Sequence, residues 1–513
     1  MTNNLRNIPI RNALISVYHK EGLGPVIGFL VRAGVRIYST GGSLEYIKSL
    51  GAEPIPVEDL TGYPSILGGR VKTLHPTVFG GILGKRDDPR DRADMEHWEI
   101  GPLDLVIVDL YPFTETVASG ASHADIIEKI DIGGISLIRA AAKNYRDVMV
   151  VPDKSLYTEL LDLLQSQDCH TTLSDRIYFA TQAFKISSHY DTAIFQYFNR
   201  DMNLPAFSYS SFETPVSLRY GENPHQSALY FGQAGNLPTQ LHGKEISYNN
   251  LLDIEAALKL IRDFEEPAIA ILKHNNACGC ACCKDLTIAW ERALTADPLS
   301  AFGGIIVVNR PITKILARQM DKLFFEIILA PSFEQDALEV LQSKKNRIIL
   351  VYDQQQQLPE KEFRSLLDGV IVQDRDTLVE SASSFTQVTH RAPSKTQLED
   401  LVFANKLVKH TKSNAIVLAA NGMLLASGMG QTSRVDALKH AIEKARNRGL
   451  SLKDAVMASD AFFPFPDCVE LAHKAGIVAV IQPGGSIKDR LSIDYCNANN
   501  MAMVFTGIRH FKH

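Results

Sequence analysis

The polar stretch Lys273-His274-Asn275-Asn276-Ala277-Cys278-Gly279 directly follows the apolar run Ala268-Ile269-Ala270-Ile271-Leu272. The apolar run reads as a buried strand, which puts the polar residues at its carboxyl end, where open α/β sheets place their ligands. An imidazole that titrates near neutrality, an ammonium that stabilises a developing anion and an amide that orients a carbonyl together suit proton transfer with oxyanion support. The bland reading of the same residues is a solvated loop.

Other stretches carry chemistry of a different kind. Ser39-Thr40-Gly41-Gly42-Ser43 joins a strand to a helix, so it offers backbone N–H groups at a helix N-terminus, the geometry of a phosphate site or of a plain capped turn. Gly68-Gly69-Arg70-Val71-Lys72-Thr73-Leu74-His75-Pro76 gathers two cations, a hydroxyl and an imidazole, a costly cluster unless it meets an anion or water. Asp131-Ile132-Gly133-Gly134 opens a second helix, with Lys143 at its far end. Cys278, Cys280, Cys282 and Cys283 crowd one loop, either as a metal or redox cluster or as free thiols; the spacing lacks paired C-x-x-C arms.

Around these residues the chain alternates strands and helices. Strands are expected over 13–17, 35–38, 104–108 and 148–151, with helices over 22–33, 44–50, 135–143, 155–165 and 174–199. A domain boundary is placed in the polar, aromatic stretch 204–213. Beyond it, strands over 268–272, 305–308, 348–352 and 369–373 precede a similar course, helix 397–410, strand 415–420, turn Asn421-Gly422 and strand 423–426, as if one α/β unit were present twice. No Walker lysine or G-x-G-x-x-G appears in the first half. With 513 residues, 45% hydrophobic, and a net charge of -5, the composition is that of a multidomain globular protein without a broad nucleic-acid-binding surface. The basic runs 344–347 and 444–448 read as solvated faces. No apolar run is long enough for a membrane span and residues 1–11 lack a signal-peptide core, so a cytoplasmic protein is expected.

Taken together, Ser39-Thr40-Gly41-Gly42, Gly69 through Pro76, Leu110-Tyr111-Pro112-Phe113, Asp131-Ile132-Gly133-Gly134, Arg219-Tyr220-Gly221, Asn223-Pro224-His225-Gln226, Lys273-His274, Ser300-Ala301-Phe302-Gly303-Gly304 and Asp460-Ala461-Phe462-Phe463-Pro464-Phe465 occur in one order across nearly the whole chain. This resembles the bifunctional purine biosynthesis family that joins phosphoribosylaminoimidazolecarboxamide formyltransferase to IMP cyclohydrolase. The resemblance implies a methylglyoxal-synthase-like parallel-sheet domain over 1–205, followed over 206–513 by two cytidine-deaminase-like α/β units, roughly 206–390 and 391–513, without the catalytic zinc. It implies formyl transfer from the co-substrate 10-formyltetrahydrofolate to 5-aminoimidazole-4-carboxamide ribotide (AICAR), then ring closure to IMP with loss of water and no catalytic metal. A homodimer with transferase sites between subunits is implied as well, with neither nucleic acid nor membrane as partner. By position, Lys72, Tyr111, Asp131 and Lys143 are implied to line the cyclohydrolase site. Ser16, Lys20, Ser39, Thr40, Gly41, Gly42, Arg70, Thr73, Gly133 and Gly134 are implied to bind the nucleotide there. Lys273, His274 and Asn414 are implied to carry formyl transfer, while Arg219, Tyr220, His225, Phe302, Gly303, Phe463 and Arg509 hold substrates.

Three departures from the family pattern stand out. The usual Ser-Val-Ser-Asp-Lys is here Ser16-Val17-Tyr18-His19-Lys20, the usual Asn before Leu-Tyr-Pro-Phe is Asp109, and the usual Pro of Lys-His-x-Asn-Pro-Cys-Gly is Ala277. Asp109 adds a negative charge near an anionic ligand, so its partner matters. Two readings of another class are a cysteine-cluster metal or redox protein and a nucleotide-binding module whose catalysis has decayed.

Overall fold

The structure, a computed structural model, describes residues 7–69, 71–202, 215–232, 234–356 and 358–513. The chain divides into two compact units, Met1–Phe212 and Glu213–His513. The stretch 204–213, where the boundary is expected, lies outside the described residues.

The first unit is built on five parallel strands, β1 (Asn12–Ser16), β2 (Arg36–Ser39), β3 (Ile55–Pro56), β4 (Leu105–Val108) and β5 (Met149–Val151), in the order β3-β2-β1-β4-β5. Helices cover both faces, so β4 and β5 are buried at every position and read as unbroken apolar runs. The strand order reverses between β1 and β4, whose carboxyl ends are therefore the ligand-binding edge of such a sheet. Helices α1 (Leu23–Arg32), α2 (Gly41–Ser49), α3 (Gly133–Lys143) and the long α4 (Leu173–Met202) pack around it. α2 starts three residues earlier than its apolar pattern suggests, because Gly41 takes φ 44° immediately after the extended Thr40.

The second unit contains a twelve-stranded sheet in which one motif occurs twice. The first copy holds β6 (Thr239–His242), α5 (Tyr248–Arg262), β7 (Ala268–Lys273), β8 (Asn276–Cys282), α6 (Leu286–Ala296), β9 (Ile305–Val308), β10 (Ile327–Ala330) and β11 (Ile348–Val351). The second holds β12 (Thr386–Gln387), α7 (Lys395–Lys409), β13 (Ile416–Ala420), β14 (Met423–Gly428), α8 (Arg434–Asn447), β15 (Val456–Ser459), β16 (Ala479–Gln482) and β17 (Ala502–Phe505). The order β6-β11-β10-β9-β7-β8-β14-β13-β15-β16-β17-β12 is a mirror sequence of equivalent strands, and β8 meets β14 at the centre. α5 and α7 share one apolar cluster that runs under both copies, whereas the opposite face carries a separate cluster for each copy. The sheet thus confirms the internal repeat, although β12 places the start of the second copy slightly before residue 391.

Two expectations change. The stretch 273–279 is not a loop: His274 and Asn275 alone make a two-residue turn with φ 51° and 64°, and Asn276–Cys282 continues as a strand. Two consecutive left-handed residues twist as the flanking strands do, so a tight hairpin forms there. The basic runs are not simply solvated either. Lys444 and Arg448 reach the buried carboxylate of Asp297 at 2.8 and 2.5 Å, and the buried Arg347 pairs with Asp321 at 2.7 Å.

Glycine is required where helix and sheet touch. A Cβ on Gly428 in the second copy would lie 1.8 Å from the Ala437 carbonyl oxygen, and one on Gly279 in the first would lie 2.1 Å from that of Ala293. Both obstacles are backbone. Gly428→Ala is therefore expected to destabilise the second unit by about 1–3 kcal/mol or more, read as a lowered thermal transition; an unchanged transition would show that α8 moves away freely.

Candidate active sites

In the first unit, the switch-point edge gathers most of the residues expected there. Ser16 at the end of β1 and Thr40 at the end of β2 lie with their hydroxyls 3.1 Å apart. Ser39 is buried and gives its hydroxyl to Ile15 O, so it braces the strands rather than facing a ligand. Next to them, α2 begins with Gly41-Gly42, and two ammonium groups flank that N-terminus. Lys72 Nζ lies 3.2 Å from where a Cβ on Gly41 would be, and Lys20 Nζ 3.8 Å from the same position on Gly42. Lys20 also donates to the carbonyls of Val17 (3.0 Å) and Tyr18 (2.7 Å). Thr73 Oγ1 lies 3.4 Å from the Cβ position of Gly133 at the start of α3. The adjacent residues Lys72 and Thr73 thus touch the N-termini of two helices, both of which favour negative charge. Arg70 lies outside the described residues.

Asp131 stands beside this point. Its carboxylate accepts from the backbone N–H of Gly134 at 2.6 Å, while its own N–H donates to the Tyr190 hydroxyl at 2.8 Å. Gly134 must lack a side chain, because a Cβ there would lie 2.7 Å from Asp131 Oδ2. Burial holds the Asp131 carboxyl above the usual carboxylate range, with the charge of Asp109 adding to the effect. Burial, then Asp131, likewise raises the Tyr111 phenol. Lys143 is not brought to this cluster. It closes the eleven-residue helix that Gly133 opens, so it stands about 15 Å away along the axis, and it is exposed.

In the second unit, the tip of the β7–β8 hairpin is held from several sides. Asp253 on α5 accepts from Asn275 N at 2.6 Å; burial raises its carboxyl, and the nearby His274 draws it down. Lys273 Nζ donates to Phe302 O at 2.8 Å, Asn276 Nδ2 donates to His274 O at 2.8 Å, and Lys412 N donates to Asn276 Oδ1 at 3.0 Å. The His274 side chain remains exposed. Two residues beyond Lys412, Asn414 donates through Nδ2 to Gln431 O (2.9 Å) and accepts from Arg434 Nη2 (2.9 Å), which also pairs with buried Asp460 at 3.0 Å. Arg219 stacks on Tyr220 at 4.6 Å and donates to its hydroxyl, and Tyr220 O accepts from Tyr248 N at the first turn of α5. His225 is exposed on the same loop.

The aromatic expectations divide. Phe302 is 58% exposed and leans on Phe324, with Gly303 at φ 72° turning the chain behind it. Phe463 is a correction: it is fully buried in the apolar cluster under the second copy and cannot border a ligand ring. Its neighbours Phe462 and Phe465 are exposed instead. Arg509 is exposed and packs over Phe511, without a bond to the hairpin tip. Sequence reasoning passed over Asp253, Arg434, Lys129 and Lys512, whose Nζ donates to Asn275 O at 3.3 Å. Asp253 was detectable, since Asp253 and Asp400 each lie six residues beyond a capping serine, Ser247 and Ser394.

The cysteines do not converge. Cys278 and Cys283 belong to the cluster on one face of the sheet, Cys280 and Cys282 to the cluster on the other. Burial pushes the thiols of Cys278 and Cys282 up to about 12, which keeps them protonated. Among the described residues no group of three or more His, Cys, Asp or Glu is placed to hold a metal ion.

Known proteins resemble the chain over nearly its whole length. Residues 141–444 match the family described as AICARFT/IMPCHase bienzyme, and residues 22–136 match the MGS-like domain. The bifunctional purine biosynthesis protein PurH of Bacteroides thetaiotaomicron is 58% identical over 98% of this chain and 99% of its own length. Its counterpart in Caldicellulosiruptor bescii is 44% identical over 98% of this chain and all of its own. A crystal structure of ForH covers 37% of this chain at a TM-score of 0.32, too slight a likeness to bear on the fold. An MGS-like domain followed by a duplicated α/β unit, with this identity over nearly the whole length, makes the chain a member of the AICARFT/IMPCHase bienzyme family.

Proposed function

We propose that the chain carries out the last two steps of IMP synthesis and divides them between its units. The first unit closes the ring of formylated AICAR, and the second transfers the formyl group to AICAR from 10-formyltetrahydrofolate. The observation that carries the first assignment is the position of Lys72-Thr73 across the N-termini of α2 and α3. The nucleotide phosphate meets Gly41, Gly42, Lys72 and Lys20, and the ring to be closed lies toward Tyr111 and Asp131. In that reaction the carboxamide nitrogen attacks the formyl carbon, a new N–C bond forms, and water is lost. The Tyr111 phenol, held above its ordinary range by burial, keeps its proton and is suited to donate it to the developing oxyanion or the departing hydroxyl, with the Asp131 carboxyl beside it.

In the second unit the hairpin tip presents His274 as the base that takes the proton from the AICAR amine as it attacks the formyl carbon of the folate. The bond to folate N10 breaks as N10 takes up the proton that His274 received, and Lys273 supports the oxyanion. Asn414 orients the reacting groups, and Arg219, Tyr220 and His225 hold the ribotide. Exposed Phe302, Phe462 and Phe465 offer faces for planar rings. A homodimer is consistent with two apolar surfaces. On α4, Ile177, Phe184, Phe195 and Phe198 are exposed. The hairpin Lys361–Leu366 and Gly369–Asp374, paired with no other strand among the described residues, exposes Phe363, Leu367 and Ile371. Transferase sites between subunits follow the family pattern. All seven cysteines are free, as suits the cytoplasm. Among the described residues no helix is long and apolar enough to cross a membrane.

His274→Ala is expected to lower formyl transfer by about 10²–10⁴-fold with cyclisation retained; transfer within a few-fold of the unaltered protein would remove the general-base role. Asp253→Asn is expected to lower formyl transfer roughly tenfold through a misplaced hairpin tip, and a variant with unchanged kcat would show that Asp253 serves the fold alone. A fragment of residues 1–212 should cyclise formylated AICAR unaided. If it folds but does not turn over, the division of labour is wrong.

A further inference from the structure

The residues by which the first unit departs from the family pattern, Tyr18, His19 and Asp109, meet in one place. The buried Asp109 carboxylate accepts from the backbone N–H of Tyr18 and, at 2.8 Å, from that of His19. It also lies 2.9 Å from His19 Nδ1. Both oxygens are thereby committed to the loop between β1 and α1, so the extra negative charge is directed at the loop and at an imidazole. The usual family pattern has an acid at position 19 and an amide at 109; here an imidazole stands at 19 and the acid at 109. With the loop held in this way, the Tyr18 ring sits edge-on to Tyr111 at 5.6 Å. Above both rings stands the ammonium of Lys129, 5.4 Å from the centroid of Tyr18 and 5.8 Å from that of Tyr111.

We propose that Tyr18 and Lys129 are positioning residues for Tyr111 in the cyclohydrolase site, and that the Asp109–His19 pair is the brace that holds Tyr18 there. The inference rests on the reading of Tyr111 as a cyclohydrolase residue. Tyr111 is otherwise half free: the residue is 41% exposed, and edge-to-face and cation–ring contacts are what restrict its ring on the open side. Tyr18 and Lys129 come from different segments, the β1–α1 loop and the stretch before α3, so the wall they form closes only when both are in place. Lys129 is further fixed at its carbonyl, which accepts from the Tyr190 hydroxyl at 2.7 Å. The same hydroxyl accepts from Asp131 N. One tyrosine thus ties the backbone under Lys129 to that under Asp131.

The test is steady-state cyclisation of formylated AICAR by the full chain, with formyl transfer by the same preparation as the control for folding. Tyr18→Ala and Lys129→Ala are each expected to lower kcat about fivefold to tenfold with KM within about twofold, the signature of a misaligned catalytic group. Asp109→Asn alone removes the acceptor charge, and His19→Asp alone sets two carboxylates against each other, so each is expected to lower kcat/KM roughly tenfold. Made together they restore the usual acid–amide pair, and the double variant is expected to recover to within about threefold of the unaltered protein, a coupling that independent structural damage does not produce. Unchanged kcat in Tyr18→Ala and Lys129→Ala, or a double variant as poor as the product of its singles, would overturn the proposal. Tyr111→Phe separates the layers. If it cyclises undiminished, the site reading falls and this inference with it; if it is impaired while Tyr18→Ala and Lys129→Ala are not, this inference alone falls.

Discussion

Buried and half-buried carboxylates that accept from backbone N–H groups hold the loops, turns and helix starts at the ends of this protein's strands. Asp109 grips the loop after β1, Asp131 the first turn of α3, Asp253 the turn between β7 and β8, and Asp400 the equivalent turn at Asn421 and Gly422. Each such loop leaves strand geometry and loses the hydrogen bonds of a sheet ladder, so its N–H groups need other acceptors. A carboxylate can accept several at once and gains from each as a charge-assisted bond. That solution fixes the backbone without filling the space above it. Removing such a carboxylate exposes several buried donors together, at a cost of about 1–3 kcal/mol for each.

The duplicated second unit shows the same device used with and without chemistry. Asp253 and Asp400 occupy equivalent positions on α5 and α7, and each supports a two-residue left-handed turn. The first turn is His274-Asn275 and follows a lysine; the second is Asn421-Gly422 and follows an alanine. The fold therefore needs only the turn and its carboxylate, and the imidazole and ammonium of the first copy are additions to it. His274 in the left-handed region is less comfortable than glycine, so a residue there that the turn does not require points to a use in the site.

Much of this was legible in the sequence. Apolar runs at 104–108 and 148–151 gave buried parallel strands, and the glycines at 41–42 and 133–134 gave helix N-termini, because both depend on local backbone preference. The repeat was visible in outline from Asn421-Gly422 and its flanking strands. What was not legible depended on contacts distant in sequence. Phe462 and Phe463 differ only in which way the backbone turns them. The basic residues Lys444 and Arg448 looked solvated until Asp297 was found between them. The departures at Tyr18, His19 and Asp109 looked independent because ninety residues separate the loop from the strand that answers it. Lys143 illustrates the reverse: its place at the end of α3 is plain from sequence, and helix geometry then puts it far from the residues at the other end.

The central claim is that the nucleotide lies across the N-termini of α2 and α3 in the first unit. A crystal structure of the full chain with IMP bound tests it most directly. The phosphate is expected within hydrogen-bonding distance of the Gly41 or Gly42 backbone N–H and of Lys72 Nζ, with the purine ring toward Tyr111 and Asp131. A phosphate bound elsewhere, with that N-terminus left to water, would contradict the account.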